Sequence, residues 1–405
     1  MDINEKINSY RRNDYQRENF DSFLNKVSFS YSIPSIHIGG TNGKGSTATY
    51  LAAILEASGY KAGLFTSPCY KSLSEMIKIN KKAIFDEEIT QIFDKYHKLF
   101  DKFQLSSFEI ITFIAFTYFS EQKVDVAIIE CGMGGEVDAT NIFTPILSII
   151  TNISMEHTDF LGVSLSEIAL HKAGIIKDNV PVLIGDMEED ALNVVASAAK
   201  RHNSKIFRIS TAHKEALNED DQSFDYGVYK DLHIRSLSKT NIKDACLAIE
   251  AANIIGDSFK TNEKSIKEGL MVNLPNGRFK VFKDKKIIVD GAHNPDAIVK
   301  LRNDVDNLGL NANIRVVFAC FRDKNITSML PEISLLGDIF LTTFDHQRAR
   351  KEFDYFLYLE EYKYFDDHIS LIKDIRTNYP DDYILVTGSL AFAYLVCDEI
   401  ENEII

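Results

Sequence analysis

Residues Ile36–Leu55 read IHIGGTNGKGSTATYLAAIL, and the fold turns on them. An apolar run leads into Gly39, Gly40, Gly43 and Gly45, which crowd around Lys44, and Ser46 and Thr47 follow at once. The next residues place Ala48, Leu51, Ile54 and Leu55 on one helical stripe, with Gly59 as its stop. Glycine is costly in ordered structure unless the backbone takes unusual torsions or approaches something closely. A strand, a glycine-rich turn and a helix N-terminus together make a nest of N–H groups suited to phosphate. The spacing departs from the common G-x-x-x-x-G-K-[ST] pattern, because Gly45 stands between the lysine and the hydroxyl. The reading is a nucleotide site in which Lys44 neutralises the β- and γ-phosphates.

Outward from this loop, short β-branched runs alternate with longer amphipathic segments. KAGLFTS, VDVAIIECG, ILSIITNIS and VPVLIG read as buried strands, and helical stretches such as DEEITQIFDKYHKLFDKF and EEDALNVVASAAKRHN lie between them. The alternation predicts an α/β fold, with a mostly parallel sheet covered on both faces. From about 210 to 239 the pattern loosens into polar, acidic sequence, a small antiparallel excursion. Pro275, Asn276 and Gly277 then punctuate the chain, and a second alternation follows through IIVDGAHNP, NIRVVFACF, GDIFLTTF and YILVTGSL. Two domains are therefore predicted, 1–277 with the phosphate loop and a smaller Rossmann-like α/β domain over 278–405. Two such domains in series predict a ligand cleft between them.

The chain has 405 residues, 45% hydrophobic and 26% charged, with a formal charge of −14. This composition is globular, and the acidic balance argues against a general grip on nucleic acid. Anionic substrates must be held by local groups or metal. Five scattered cysteines without a C-x-x-C pair suit a reducing cytoplasm. The polar N-terminus MDINEKINSYRRNDYQ is no signal peptide, and no apolar run reaches membrane-spanning length. A soluble cytoplasmic monomer is expected.

The strand ends carry the remaining chemistry, because open α/β sheets bind ligands at their carboxyl edge. Thr66 and Ser67 follow one strand. Glu130 ends another before Gly132, Gly134 and Gly135, where a carboxylate suits a Mg²⁺–nucleotide site. His157, beside Glu156 and Asp159, follows a third, and Lys172 lies further along the next helix. In the second half, Arg278 opens the domain, Asp290 ends a strand before Gly291, His293 and Asn294, and Ser389 follows the last strand.

In order, GTNGKGS, LFTSP, GGxxDATN, HT…LG…EIA…KAGIIK, GRF, DGAHNP and VTGSL resemble the folylpolyglutamate synthase/dihydrofolate synthase family of Mur-type ATP-dependent amide ligases. The resemblance runs from about Ile36 to Leu395. It implies a P-loop ATPase domain followed by a glutamate-binding ligase domain. By the same resemblance Asn42, Gly43, Lys44, Gly45 and Ser46 form the ATP phosphate loop, and Ser67, Glu130 and His157 hold Mg²⁺. Lys172 matches a lysine that the family carbamylates to hold a second Mg²⁺, so Lys44, His157 and Lys172 are the implied catalytic set. Arg278 and Asp290 match nucleotide contacts, and His293 and Ser389 match residues that hold the incoming L-glutamate. The implied reaction adds glutamate to a folate or dihydropteroate carboxylate through an acyl phosphate, releasing ADP and phosphate.

The sequence departs from the family pattern on the folate side. Cys69 replaces a histidine after TSP, Met76 an arginine in EMIKIN, Glu136 a basic residue in GGEVDATN, and Ala391 a tyrosine after VTGSL. A Mur-type ligase with a different carboxylate acceptor and a non-catalytic nucleotide-binding relative stay open as alternatives. A GTPase-like switch would need an N-K-x-D stretch, which the chain lacks.

Overall fold

The computed structural model describes residues 2–10 and 16–405. It resolves into two compact units. Met1–Lys214, Phe224–Ile234 and Ile242–Val272 make the first, and Glu215–Ser223, Arg235–Asn241 and Asn273–Ile405 the second.

The first unit is built on strands β1 (Ser35–Gly39), β2 (Ala62–Phe65), β3 (Ile77–Ile79), β4 (Lys82–Ala83), β5 (Val126–Glu130), β6 (Leu147–Ile150), β7 (Val182–Ile184) and β8 (Ile206–Arg208). Their order in the sheet is β4-β3-β2-β5-β1-β6-β7-β8. From β2 to β8 every neighbour is parallel, while β3 and β4 add an antiparallel edge. Every residue of β1, β2, β5 and β6 is buried, which is why these strands read as continuous apolar runs rather than alternating ones.

Aromatic side chains fill much of this unit's core. Phe23, on the helix Arg17–Lys26, puts its ring 4.9 Å from Phe113 and 5.3 Å from Phe100, centre to centre. Burying such a ring contributes about 1.5–3 kcal/mol, so this helix is a packed part of the unit. A second cluster joins Ile150, Ile168, Ile175, Val182 and Val195, packing the helices Leu165–Ala173 and Glu189–Arg201. Ser106 and Ser164 begin the helices Ser107–Glu121 and Leu165–Ala173 with capping boxes, Glu109 and Glu167 being their reciprocal partners.

The loosened acidic stretch folds as three strands, β9 (His213–Leu217), β10 (Gln222–Tyr226) and β11 (Tyr229–Ile234), in a sheet of their own. The second unit carries β12 (Lys280–Phe282), β13 (Ile287–Val289), β14 (Ile314–Phe318), β15 (Asp338–Thr342), β16 (Lys363–Phe365) and β17 (Tyr383–Thr387). Their order is β12-β13-β17-β14-β15-β16, parallel except for β12. The α/β class and the mostly parallel sheets agree with the sequence reading. Among the described residues, no helix is long and apolar enough to cross a membrane.

Candidate active site

β2, β5, β1 and β6 are consecutive in the sheet and parallel, so their carboxyl ends share one edge. This edge receives the glycine loop from β1, Ser67 from β2, Glu130 from β5 and the segment leading to His157 from β6. The helix after the loop starts at Lys44, earlier than its apolar stripe, and runs to Ala57. Gly43 is its N-cap with φ +82° and supplies no side chain to the helix N-terminus. A helix leaves its first four N–H groups without intrahelical acceptors. Here the orphan donors and the positive end of the dipole open toward whatever the loop holds.

Gly43 is glycine for a second reason: a Cβ there would lie 2.2 Å from Asp244 Oδ1. The segment after β6 fixes the rest of the loop. The Asn42 N–H donates to Asn152 Oδ1 at 2.9 Å, and Thr151 Oγ1 donates to the Asn42 carbonyl at 2.6 Å. Thr41 N–H donates to the Asn152 carbonyl, and Thr41 Oγ1 accepts from the Ser154 N–H, both at 3.0 Å. Sequence reasoning passed over Thr151, Asn152 and Asp244. Polar residues directly after the buried run LSII were the available signal for the first two, and nothing local marks Asp244.

Two lysines meet at one carbonyl. Lys44 Nζ donates to the Gly40 and Thr41 carbonyls at 3.1 and 3.0 Å, and Lys172 Nζ donates to the Gly40 carbonyl at 2.7 Å. Lys172 is only 2% exposed. Burial first, and the Lys44 charge second, lower its pKa to about 7. Its amine is therefore largely neutral in mildly alkaline solution, unlike an ordinary surface lysine.

Glu130 is 2% exposed, and its Oε2 accepts the Ser67 N–H at 3.1 Å, which links the β2 and β5 ends. His157 holds φ +51°, a left-handed conformation uncommon outside glycine, and starts the short helix Thr158–Leu161. Its Nε2 lies 3.6 Å from Glu156 Oε1. The side chain of Asp159 lies outside the described residues. Among the described residues no group of three or more His, Cys, Asp and Glu side chains comes together as a metal cage. Mg²⁺ at a phosphate site does not need one, since one or two carboxylates beside phosphate oxygens and water are its usual shell.

The second unit gathers its own motif residues at one sheet edge. β13 and β17 are parallel neighbours, so Asp290 and Ser389 follow adjacent strand ends. Asp290 accepts the Phe279 and Ala292 N–H groups at 2.9 and 2.8 Å. Burial raises its pKa, while those two bonds and the Arg278 and His293 charges pull it back. His293 Nδ1 is 2.8 Å from the Gly291 carbonyl, and Ser389 is the buried N-cap of the helix Leu390–Glu401. GRF, DGAHNP and VTGSL thus converge within this unit.

On the side where the sequence departs from its relatives, Met76 is buried in the aromatic core and Cys69 is half-buried at its margin. Glu136 is exposed, and its N–H donates to the His171 carbonyl at 2.9 Å.

Residues 38–252 match the Mur ligase middle domain, and residues 277–390 match the Mur ligase glutamate ligase domain. The dihydrofolate synthase/folylpolyglutamate synthase of Bacillus subtilis (strain 168) is 32% identical over 383 residues, spanning 89% of each chain. The folylpolyglutamate synthase of Lacticaseibacillus casei is 32% identical over 380 residues, 89% of this chain and 88% of that one. Among solved structures, the apo form of L. casei FPGS has a TM-score of 0.86 at 28% identity, covering 99% of this chain and 100% of that one. An FPGS–AMPPCP–folate complex has a TM-score of 0.87 at 29% identity with the same coverage. The chain belongs to the folylpolyglutamate synthase/dihydrofolate synthase family of Mur-type, ATP-dependent ligases.

Proposed function

We propose that this protein joins L-glutamate to the carboxylate of a folate or of dihydropteroate at the expense of ATP. The observation that carries the reading is the uncapped helix N-terminus at Gly43, with Lys44 and Lys172 converging on the Gly40 carbonyl beside it. Asn42 to Ser46 take the phosphates there, through N–H groups and the Lys44 ammonium. Ser67 and Glu130 are hard oxygen donors on adjacent strand ends and fit Mg²⁺, and His157 completes the set. Bound Mg²⁺ supplies charge neutralisation on the transferred phosphoryl group.

The acceptor carboxylate oxygen attacks the γ-phosphorus, and the bond from that phosphorus to the ADP oxygen breaks. Lys44 and the loop N–H groups stabilise charge that grows on the phosphoryl oxygens. The resulting acyl phosphate is attacked by the glutamate amine, which loses a proton as phosphate leaves and the amide forms. For the second unit, the family resemblance assigns Arg278 and Asp290 to the nucleotide and His293 and Ser389 to glutamate.

Lys172 is suited to carbamylation. Carbon dioxide is attacked by a neutral amine, which loses a proton and becomes a carbamate anion. Burial lowers the Lys172 pKa to about 7, which raises the share of that neutral form, and the product would add a carboxylate-like ligand for a second Mg²⁺. The test of the whole reading is ATP-dependent incorporation of labelled glutamate with dihydropteroate, tetrahydrofolate and its glutamates as separate acceptors. Incorporation with at least one is expected; none with any of them would move the acceptor outside the folates.

A further inference from the structure

Arg17 occupies the first position of the helix Arg17–Lys26, where a cation opposes the helix dipole. Its surroundings explain why it is there. Nε donates to Asp21 Oδ1 at 2.8 Å, one turn along the same helix. That bond fixes the guanidinium plane and leaves both terminal nitrogens aimed elsewhere. Nη1 donates to the Asp138 carbonyl at 2.5 Å and Nη2 to the Asn141 carbonyl at 3.1 Å. Phe20 and Phe23 of this helix are fully buried, so the fork is presented from a packed element.

Both carbonyls belong to the loop that leaves Glu130. The buried Asp138 carboxylate ties this loop to itself, accepting the Met133 N–H at 2.7 Å, the Thr140 N–H at 2.9 Å and Thr140 Oγ1–H at 2.5 Å. The loop is also keyed to the helix that bears Lys172. Glu136 N–H donates to the His171 carbonyl at 2.9 Å, and Asn141 Nδ2 to the Gly174 carbonyl at 3.2 Å. Gly135 comes so close that a Cβ would lie 2.8 Å from the His171 carbonyl oxygen and 3.0 Å from that of Lys172.

We infer that Arg17 is a positioning residue for the active site: its guanidinium fork presses the loop 132–141 onto the last turn of the Lys172 helix, and so sets where Glu130 and Lys172 stand. The inference rests on the roles proposed above for those two residues. A lysine cannot replace the fork, because a single ammonium lacks the planar pair of donors that spans two carbonyls.

The experiment compares Arg17→Ala, Arg17→Lys and the parent by amide hydrogen exchange and by steady-state ligation at saturating ATP. In Arg17→Ala the amides of Met133, Glu136 and Thr140 should exchange faster, and kcat should fall about 10- to 100-fold, the usual cost of losing a supporting partner. The KM for ATP should change little, and added guanidinium ion should restore both exchange and kcat. Arg17→Lys should stay close to Arg17→Ala. Parent-like exchange in the loop overturns the clamp. So does a kcat loss that only follows the unfolded fraction and that guanidinium leaves untouched. If Arg17→Ala does not fold, Asp21→Ala, which frees Nε, should show the same changes at smaller size, and parent-like exchange there counts against the clamp. Exchange decides the clamp even if the parent ligates no folate, whereas that failure falls on the proposed function alone.

Discussion

Gly43 meets two constraints at once, a left-handed φ and a carboxylate across from its missing Cβ. Gly43→Ala should therefore lose at least about 1 kcal/mol in local conformation before any clash is counted. We expect at least tenfold weaker binding of the ATP analogue AMPPCP by calorimetry, with an unchanged far-ultraviolet spectrum. Adding Asp244→Ala should recover part of the affinity, because it removes the clash but not the φ penalty. Strict additivity of the two changes would refute the contact.

Lys172 gives a second prediction at this scale. Its folded pKa, about 7, lies below the ordinary lysine value, so burying the charged form destabilises the protein at low pH. That penalty is complete below pH 7 and fades as pH climbs toward the unfolded value. In carbon dioxide-free buffer, Lys172→Met should melt above the parent at pH 6, and the gap should narrow by pH 9. A gap that is constant with pH would mean that Lys172 is not buried as a charge.

At the scale of the element, Asp304 on the helix Pro295–Asn307 caps another helix, Lys239–Ile254. It accepts the Lys239 N–H at 2.8 Å and the Ser238 hydroxyl. Asp304→Ala should cost about 1 kcal/mol, as cap removals do. Burial lifts the Asp304 pKa to about 6, so the folded state takes up a proton that the unfolded chain releases near pH 4. Stability from this group declines as pH rises through that window. Asp304→Asn should flatten urea-derived stability between about pH 4 and 6.

The strands that carry the site were legible because parallel strands buried on both faces spell continuous apolar runs, as AIIE and LSII do. Edge strands were not. Ile77–Ile79, Lys82–Ala83 and Ile206–Arg208 are two or three residues long, the first and last only partly covered and the second exposed, so no periodicity develops. The same limit applied to the site. Lys44, Ser67 and Glu130 were marked by their place after a strand. Asp244 and Arg17 lie on helices far away in sequence, and only folding brings them to the loops they serve.

Across the whole molecule, each unit keeps its own buried clusters, and the phosphate loop belongs to the first. A ligand that binds the folded chain alone must raise its unfolding temperature. At a hundred times its dissociation constant the gain is about 2.7 kcal/mol. Mg²⁺–AMPPCP should therefore shift the melting of the parent and leave Lys44→Ala unmoved, and Lys44→Ala should melt like the parent without ligand while ligating no glutamate. Equal shifts in both proteins would take the nucleotide away from the loop. Overall acidity sets a further expectation. With a net charge of −14, weak salt should speed the encounter with anionic substrates by screening repulsion over about 10 Å. A fall in kcat/KM between low and 0.1 M salt, where the Debye length is about that long, would instead show that a local positive field dominates.

The seclusion of Lys172 reaches into how the protein behaves on the bench. The carbamate proposed for Lys172 would form and decay by exchange with dissolved gas, and a side chain 2% exposed is reached by that exchange only slowly. Protein kept in degassed buffer should start sluggishly, with a lag that bicarbonate shortens, while protein from air-equilibrated stocks runs linearly from the first seconds. Two laboratories could then assay one preparation and differ only in the history of their buffers.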